Sequence, residues 1–97
     1  MKRIEYSKEK DKWLEVERGI SLKFIKRTIE KGNLITVIDN PNTRYRNQRM
    51  YLVKIKNYVY VVPFVEDDEK IFLKTIFPSR KHTKKYLKGG KYEKKAI

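Results

Sequence analysis

Apolar residues recur at helical spacing over the first third of the chain and at strand spacing after it, with the change falling near Asn33. A short strand over residues 4–6 leads to Ser7, whose hydroxyl suits a helix cap. The spacing predicts a first helix over residues 7–18. Trp13 and Val16 lie three apart on its inward face with Leu14 beside them, and Gly19 takes the left-handed position after its end. Ser21 caps a second helix in which Leu22, Ile25 and Ile29 form an inward stripe. Ile20 before that cap and Ile25 after it have the spacing of a hydrophobic staple, and Gly32 closes the helix.

Beyond Asn33 the pattern is β. Residues 34–38 are mostly β-branched, and Asp39-Asn40-Pro41-Asn42 is a turn signal. A strand over residues 49–55 puts Tyr51, Val53 and Ile55 on one face. Lys56-Asn57 then makes a tight hairpin into a continuously apolar strand over residues 58–62. Pro63 has no N–H for a ladder, which predicts a bulge or the strand's end beside it. Glu66-Asp67-Asp68-Glu69 reads as a charged turn into a last strand over residues 71–77, with Phe72, Lys74 and Ile76 on its exposed face. Of Tyr58 and Tyr60, one is expected buried and the other partly exposed. The predicted fold class is α+β: two N-terminal helices packed on a four-stranded antiparallel sheet, with a short C-terminal helix. One domain spans residues 1–87, and a basic, disordered tail spans 88–97.

Charge turns this architecture toward a partner. The chain carries 25 Lys and Arg against 12 Asp and Glu, a formal +13 on 97 residues. Residues 74–97 hold nine Lys or Arg and one acid, so the C-terminal side is the expected electrostatic footprint for a polyanion. A half-open sheet carrying Lys and Tyr is a platform suited to RNA. There are no cysteines, which excludes disulfides and thiolate metal sites. The N-terminus lacks the apolar run of a signal peptide, and no apolar stretch approaches the roughly 20 residues of a membrane span, so a soluble cytoplasmic protein without a membrane partner is expected. No Gly-rich phosphate loop, no His–carboxylate metal spacing and no nucleophile elbow occur, and no cofactor or metal is expected.

The candidate chemistry centres on the stretch from Lys74 through Phe77-Pro78-Ser79-Arg80-Lys81-His82-Thr83 to Leu87, where an apolar strand runs into a basic helix start. Metal-free RNA cleavage needs a 2′-hydroxyl to attack the adjacent phosphate while cations stabilise the added charge. Arg80 suits that task, because its guanidinium binds phosphate oxygens in pairs and stays charged. Lys74 is a second catalytic candidate. His82, the only histidine, is a third, since its unperturbed pKa of about 6.5 suits proton transfer; a surface residue facing a partner is the competing reading. Lys81, Lys84, Lys85 and Tyr86 are candidate RNA contacts. Arg44, Arg46 and Arg49, with Tyr45 among them, are others, against the alternative of a solvated loop. Glu66 either orients an arginine or acts as a base, or it is a solubilising loop residue.

Glu17-Arg18-Gly19-Ile20-Ser21 joining two helices, a strand meander, and Phe77-Pro78-Ser79-Arg80-Lys81-His82-Thr83 opening the last helix together resemble the BrnT family of bacterial toxins over roughly residues 4–87. The resemblance implies a RelE-like fold, a ribonuclease activity that blocks translation by cleaving mRNA, and neutralisation by a cognate BrnA-type antitoxin. Arg80 after Pro78-Ser79 matches the family's arginine, and Lys74 lies near its upstream basic position; the resemblance gives His82 no role. Two alternatives come from other classes: a non-catalytic basic RNA-binding module, and a basic helix that serves only to dock an antitoxin.

Overall fold

A computed structural model of the chain describes residues 2–39 and 48–88. The elements run β1 (Arg3–Tyr6), α1 (Lys8–Arg18), α2 (Leu22–Glu30), β2 (Leu34–Asp39), β3 (Gln48–Ile55), β4 (Tyr58–Glu66), β5 (Lys70–Leu73), β6 (Phe77–Pro78) and α3 (Arg80–Thr83), which continues as a π-helical turn over Lys84–Lys88. The fold is α+β, as expected. Its sheet is mixed, however, and has more strands than a four-stranded meander: the order is β1-β5-β4-β3-β2, with β6 also paired to β4. β1 runs parallel to β5, and every other pair is antiparallel.

Both long helices start and stop where local chemistry directs. The Ser7 hydroxyl accepts from the Lys10 amide at 3.2 Å, and Gly19, at φ +69°, donates its N–H to the Glu15 carbonyl. Ser21 accepts from the Phe24 amide at 3.1 Å, and Asp11 reaches across from α1 to accept from the Leu22 amide at 2.6 Å. Leu22, Ile25 and Ile29 are buried, and Ile20 joins Ile25 in the same core. On α1, the expected inward face is wrong. Only Leu14 is buried, while Trp13 and Val16 are 46% and 75% exposed. A stripe one residue wide satisfies the sheet, and Trp13, about 100° around the helix from Leu14, is covered instead by Lys10 and Arg18, 4.9 and 5.5 Å from its ring.

Lys56 and Asn57 both adopt positive φ, +50° and +65°, the signature of the type I′ turn that fits a two-residue hairpin. β4 passes straight through Pro63, opposite Met50, so the expected interruption does not fall on that strand. It falls on the neighbour. The Pro63 carbonyl accepts from the Lys74 amide at 2.8 Å, so Pro63 turns its backbone toward β5 and offers no N–H there. The last strand accordingly breaks after Leu73, paired with Phe64, and resumes only at Phe77, paired with Val61. The break swings Ile76 into the core, fully buried, rather than onto the exposed face.

Alternation along β3 and β4 produces two apolar layers. Tyr51, Val53, Val62 and Phe64 pack beneath α1 and α2 with Leu14, Ile25, Leu73 and Ile76. Met50, Leu52, Val59 and Val61 face the other way and are covered by Leu87, with Tyr86 against them. The C-terminal helix thus covers part of the sheet's second face. No described helix is long and apolar enough to cross a membrane.

Candidate nucleic-acid interface

The C-terminal helix is held to the hairpin end of β4 by hydrogen bonds as well as packing. β6 lays Pro78 beside Tyr60, after which the Ser79 amide donates to the Val59 carbonyl at 3.0 Å. Thr83, the one buried polar residue among those described, accepts from the Val59 amide at 2.8 Å and donates to the Ser79 carbonyl at 2.7 Å. One turn on, Leu87 completes an inward i, i+4 pair with Thr83. With that stripe buried, Arg80, Lys81, Lys84 and Lys85 face solvent. Among the described residues, none of these four pairs with a carboxylate. Four cations on one short outer face give a surface that attracts phosphates.

His82 and Tyr86 lie between the inward and outward faces, half-buried, with ring centroids 6.4 Å apart and planes inclined by 16°. Lys85 sits 5.3 Å over the Tyr86 ring. The Ser79 hydroxyl oxygen accepts from the His82 amide at 3.2 Å and lies 2.8 Å from its Nδ1. Burial holds the His82 pKa below its ordinary 6.5, and the charges of Lys81 and Lys85 add to the effect. The neutral form of the imidazole is thereby favoured. The direction of the Ser79 contact follows the tautomer: where Nδ1–H donates to Ser79, Nε2 is an acceptor, and where the Ser79 hydroxyl donates to Nδ1, Nε2 carries the proton.

The other predicted residues do not all converge here. Lys74 is exposed in the break between β5 and β6. Arg49 is paired with Phe64, four residues along β4 from Tyr60, or about 13 Å at strand spacing, and it belongs to the α1/α2 face rather than the α3 face. There its guanidinium donates to Glu66 at 2.6 Å and lies 5.6 Å from the Phe64 ring. Glu66 also accepts from Lys2 at 2.6 Å, and these two cations, Lys2 first, hold its pKa below the usual carboxylate range. Glu66 is therefore the last residue of a strand and orients an arginine, not a solubilising loop residue. Arg49 thus stands apart from the cations of the C-terminal helix. Arg44, Tyr45 and Arg46 lie outside the described residues, as does the tail over 89–97. Tyr58 and Tyr60 share one side of β4, both half-buried, with rings in edge-to-face contact at 6.0 Å.

Arg18 was not anticipated at all. It donates through its guanidinium to the Ile76 carbonyl, one of the groups that the strand break leaves outside the ladder, and so joins the end of α1 to the β5–β6 break. Its neighbour in sequence, Gly19, marked a helix end, but nothing local marked a contact 58 residues away. No family model, no curated protein and no solved structure matches this chain.

Proposed function

We propose that this protein is a metal-independent ribonuclease of the toxin type, with a RelE/BrnT-like arrangement, acting on mRNA in the cytoplasm and neutralised by a cognate antitoxin. The observation that carries the reading is the contact of His82 with Ser79, set among Arg80, Lys81 and Lys85 on an exposed basic helix. In the chemistry this supports, Nε2 of His82 takes the proton of a 2′-hydroxyl as its oxygen attacks the adjacent phosphorus; the bond from phosphorus to the 5′-oxygen breaks, leaving a 2′,3′-cyclic phosphate, and the departing 5′-oxygen takes a proton from water. Arg80 stabilises the charge that builds on the phosphate oxygens. Lys81, Lys84 and Lys85 hold neighbouring phosphates, and Tyr86 offers a ring edge to a base. Lys74, exposed in the strand break, is a further cation for the same strand of RNA. An acidic antitoxin segment would compete for this helix. Incubation of RNA with the wild type, Arg80→Ala and His82→Asn, in the presence of a metal chelator, tests the reading: cleavage by the wild type and its loss in both variants is expected.

A second reading, a basic RNA-binding module without catalysis, is favoured by the position of Arg49. That arginine is engaged by Glu66 on the far face, so the cations beside Arg80 are the lysines of its own helix, which suit binding of phosphates without a further cation. It predicts salt-sensitive binding with RNA left intact.

A further inference from the structure

Away from the basic helix, the end of α1, the start of α2 and the β3–β4 hairpin enclose an open groove of about 410 Å³, within the roughly 300–1,000 Å³ of small-molecule sites. We propose that this groove is a subsite for one nucleotide of a single-stranded RNA, an inference that rests on reading the chain as an RNA-binding protein. Its walls carry the two features such a subsite needs. Phe24, 49% exposed although aromatic, and the half-buried Tyr60 offer ring surface to a base. Lys56, at the tip of the hairpin, and Arg18 supply cations for its phosphate. Glu15 is the one acid on the lining and is an acceptor for a base's amino group.

The phosphate contact must come from these side chains rather than from the start of α2, because the Leu22, Lys23 and Phe24 amides are already taken by Asp11 and Ser21. The groove lies on the α1/α2 face of the sheet, and β6 ties its wall to the segment that leads into the C-terminal helix. Tyr60 is the strand partner of Pro78, the residue before the Ser79 cap, and Arg18 holds the Ile76 carbonyl on the same segment.

The protein reports on this groove through its single tryptophan, since the guanidinium of Arg18 lies 5.5 Å from the Trp13 ring. The test is titration of the full chain with a short, fluorescently labelled 2′-O-methyl oligoribonucleotide, which cannot be cleaved, reading anisotropy and Trp13 emission. Wild type is compared with Phe24→Ala and Lys56→Asn. Both positions are exposed, and Asn tolerates the positive φ at 56, so both variants keep the fold, which circular dichroism verifies. Phe24→Ala is expected to weaken binding by about 5- to 150-fold, the effect of losing one stacked base. Lys56→Asn is expected to lower the salt slope by about 0.7. Trp13 emission changes on binding in the wild type. Unchanged affinity and salt slope in both variants would overturn the subsite while leaving RNA binding intact. No binding by the wild type overturns both, whereas binding without cleavage of ordinary RNA overturns only the nuclease reading.

Discussion

The Thr83 hydroxyl lies 2.8 Å from the Val59 amide and accepts its proton, so one side chain closes a backbone donor of the central strand and fixes the basic helix to the sheet. Both groups are buried. Thr83→Val keeps the shape and removes the oxygen, leaving the Val59 N–H without a partner. A loss of about 1–3 kcal/mol is expected in urea unfolding, the desolvation penalty of an unsatisfied buried donor. A loss below about 0.5 kcal/mol, the scatter of ordinary surface substitutions, would contradict this bond as a fastening.

Acid should loosen the sheet at a different point. Glu66 has its folded-state pKa lowered by Lys2 and Arg49, so its pairing stabilises the fold above the unfolded pKa of about 4.3. That stabilisation is lost as pH falls through the lower, folded-state value. Asp67 shifts in the same direction because its carboxylate accepts from the Glu69 and Lys70 amides. Stability measured by urea unfolding across acid pH should therefore decline less steeply in Glu66→Gln than in the wild type. Parallel curves would show that the Glu66 pairing adds nothing to stability.

The pH profile of cleavage follows from His82. Its pKa lies below 6.5, so the neutral base persists below the usual histidine range, and activity should rise with pH through a midpoint under 6.5. His82→Asn should lose about 10²–10⁴ in rate and lose that limb. A full rate with an unchanged profile in His82→Asn would assign the proton transfer elsewhere.

Cap and turn chemistry was legible in the sequence because it is local. Ser7 and Ser21 each accept from an amide three residues on, as does Ser79, which was not anticipated as a cap, and Lys56-Asn57 turns in the expected two residues. The basic face of Arg80, Lys81, Lys84 and Lys85 was legible for the same reason, since one short helix carries all four. What depends on a neighbour was not. The last strand breaks because Pro63, on the strand beside it, lacks an N–H, and alternation within residues 71–77 contains no trace of that. Ile76 was misplaced as a result. Trp13 was assigned inward by apolarity alone, but the sheet had room only for Leu14, and two cations cover the indole. The Arg49–Glu66 bond joins residues 17 apart on adjacent strands and needed the register of β3 on β4.

Salt separates the surface cations from the structural ones. Replacing Lys84 or Lys85 by Ala should weaken RNA binding without regard to sequence. The slope of log K against log salt should fall by about 0.7 for each phosphate of a single strand that the variant no longer neutralises. Arg49→Ala should leave that slope unchanged, because its guanidinium is held by Glu66 on the other face. A reduced slope in Arg49→Ala, with Lys84→Ala silent, would place the footprint on the wrong side of the sheet.

The most direct measurement is RNA integrity after incubation with purified wild type and with Arg80→Ala, in chelator, with and without ribosomes. Arg80 is exposed and makes no ion pair with a described carboxylate, so the variant should fold as the wild type does. Fragmentation by the wild type and intact RNA with Arg80→Ala is the predicted result. RNA left intact by the wild type in both conditions would contradict the nuclease reading and leave a basic RNA-binding protein.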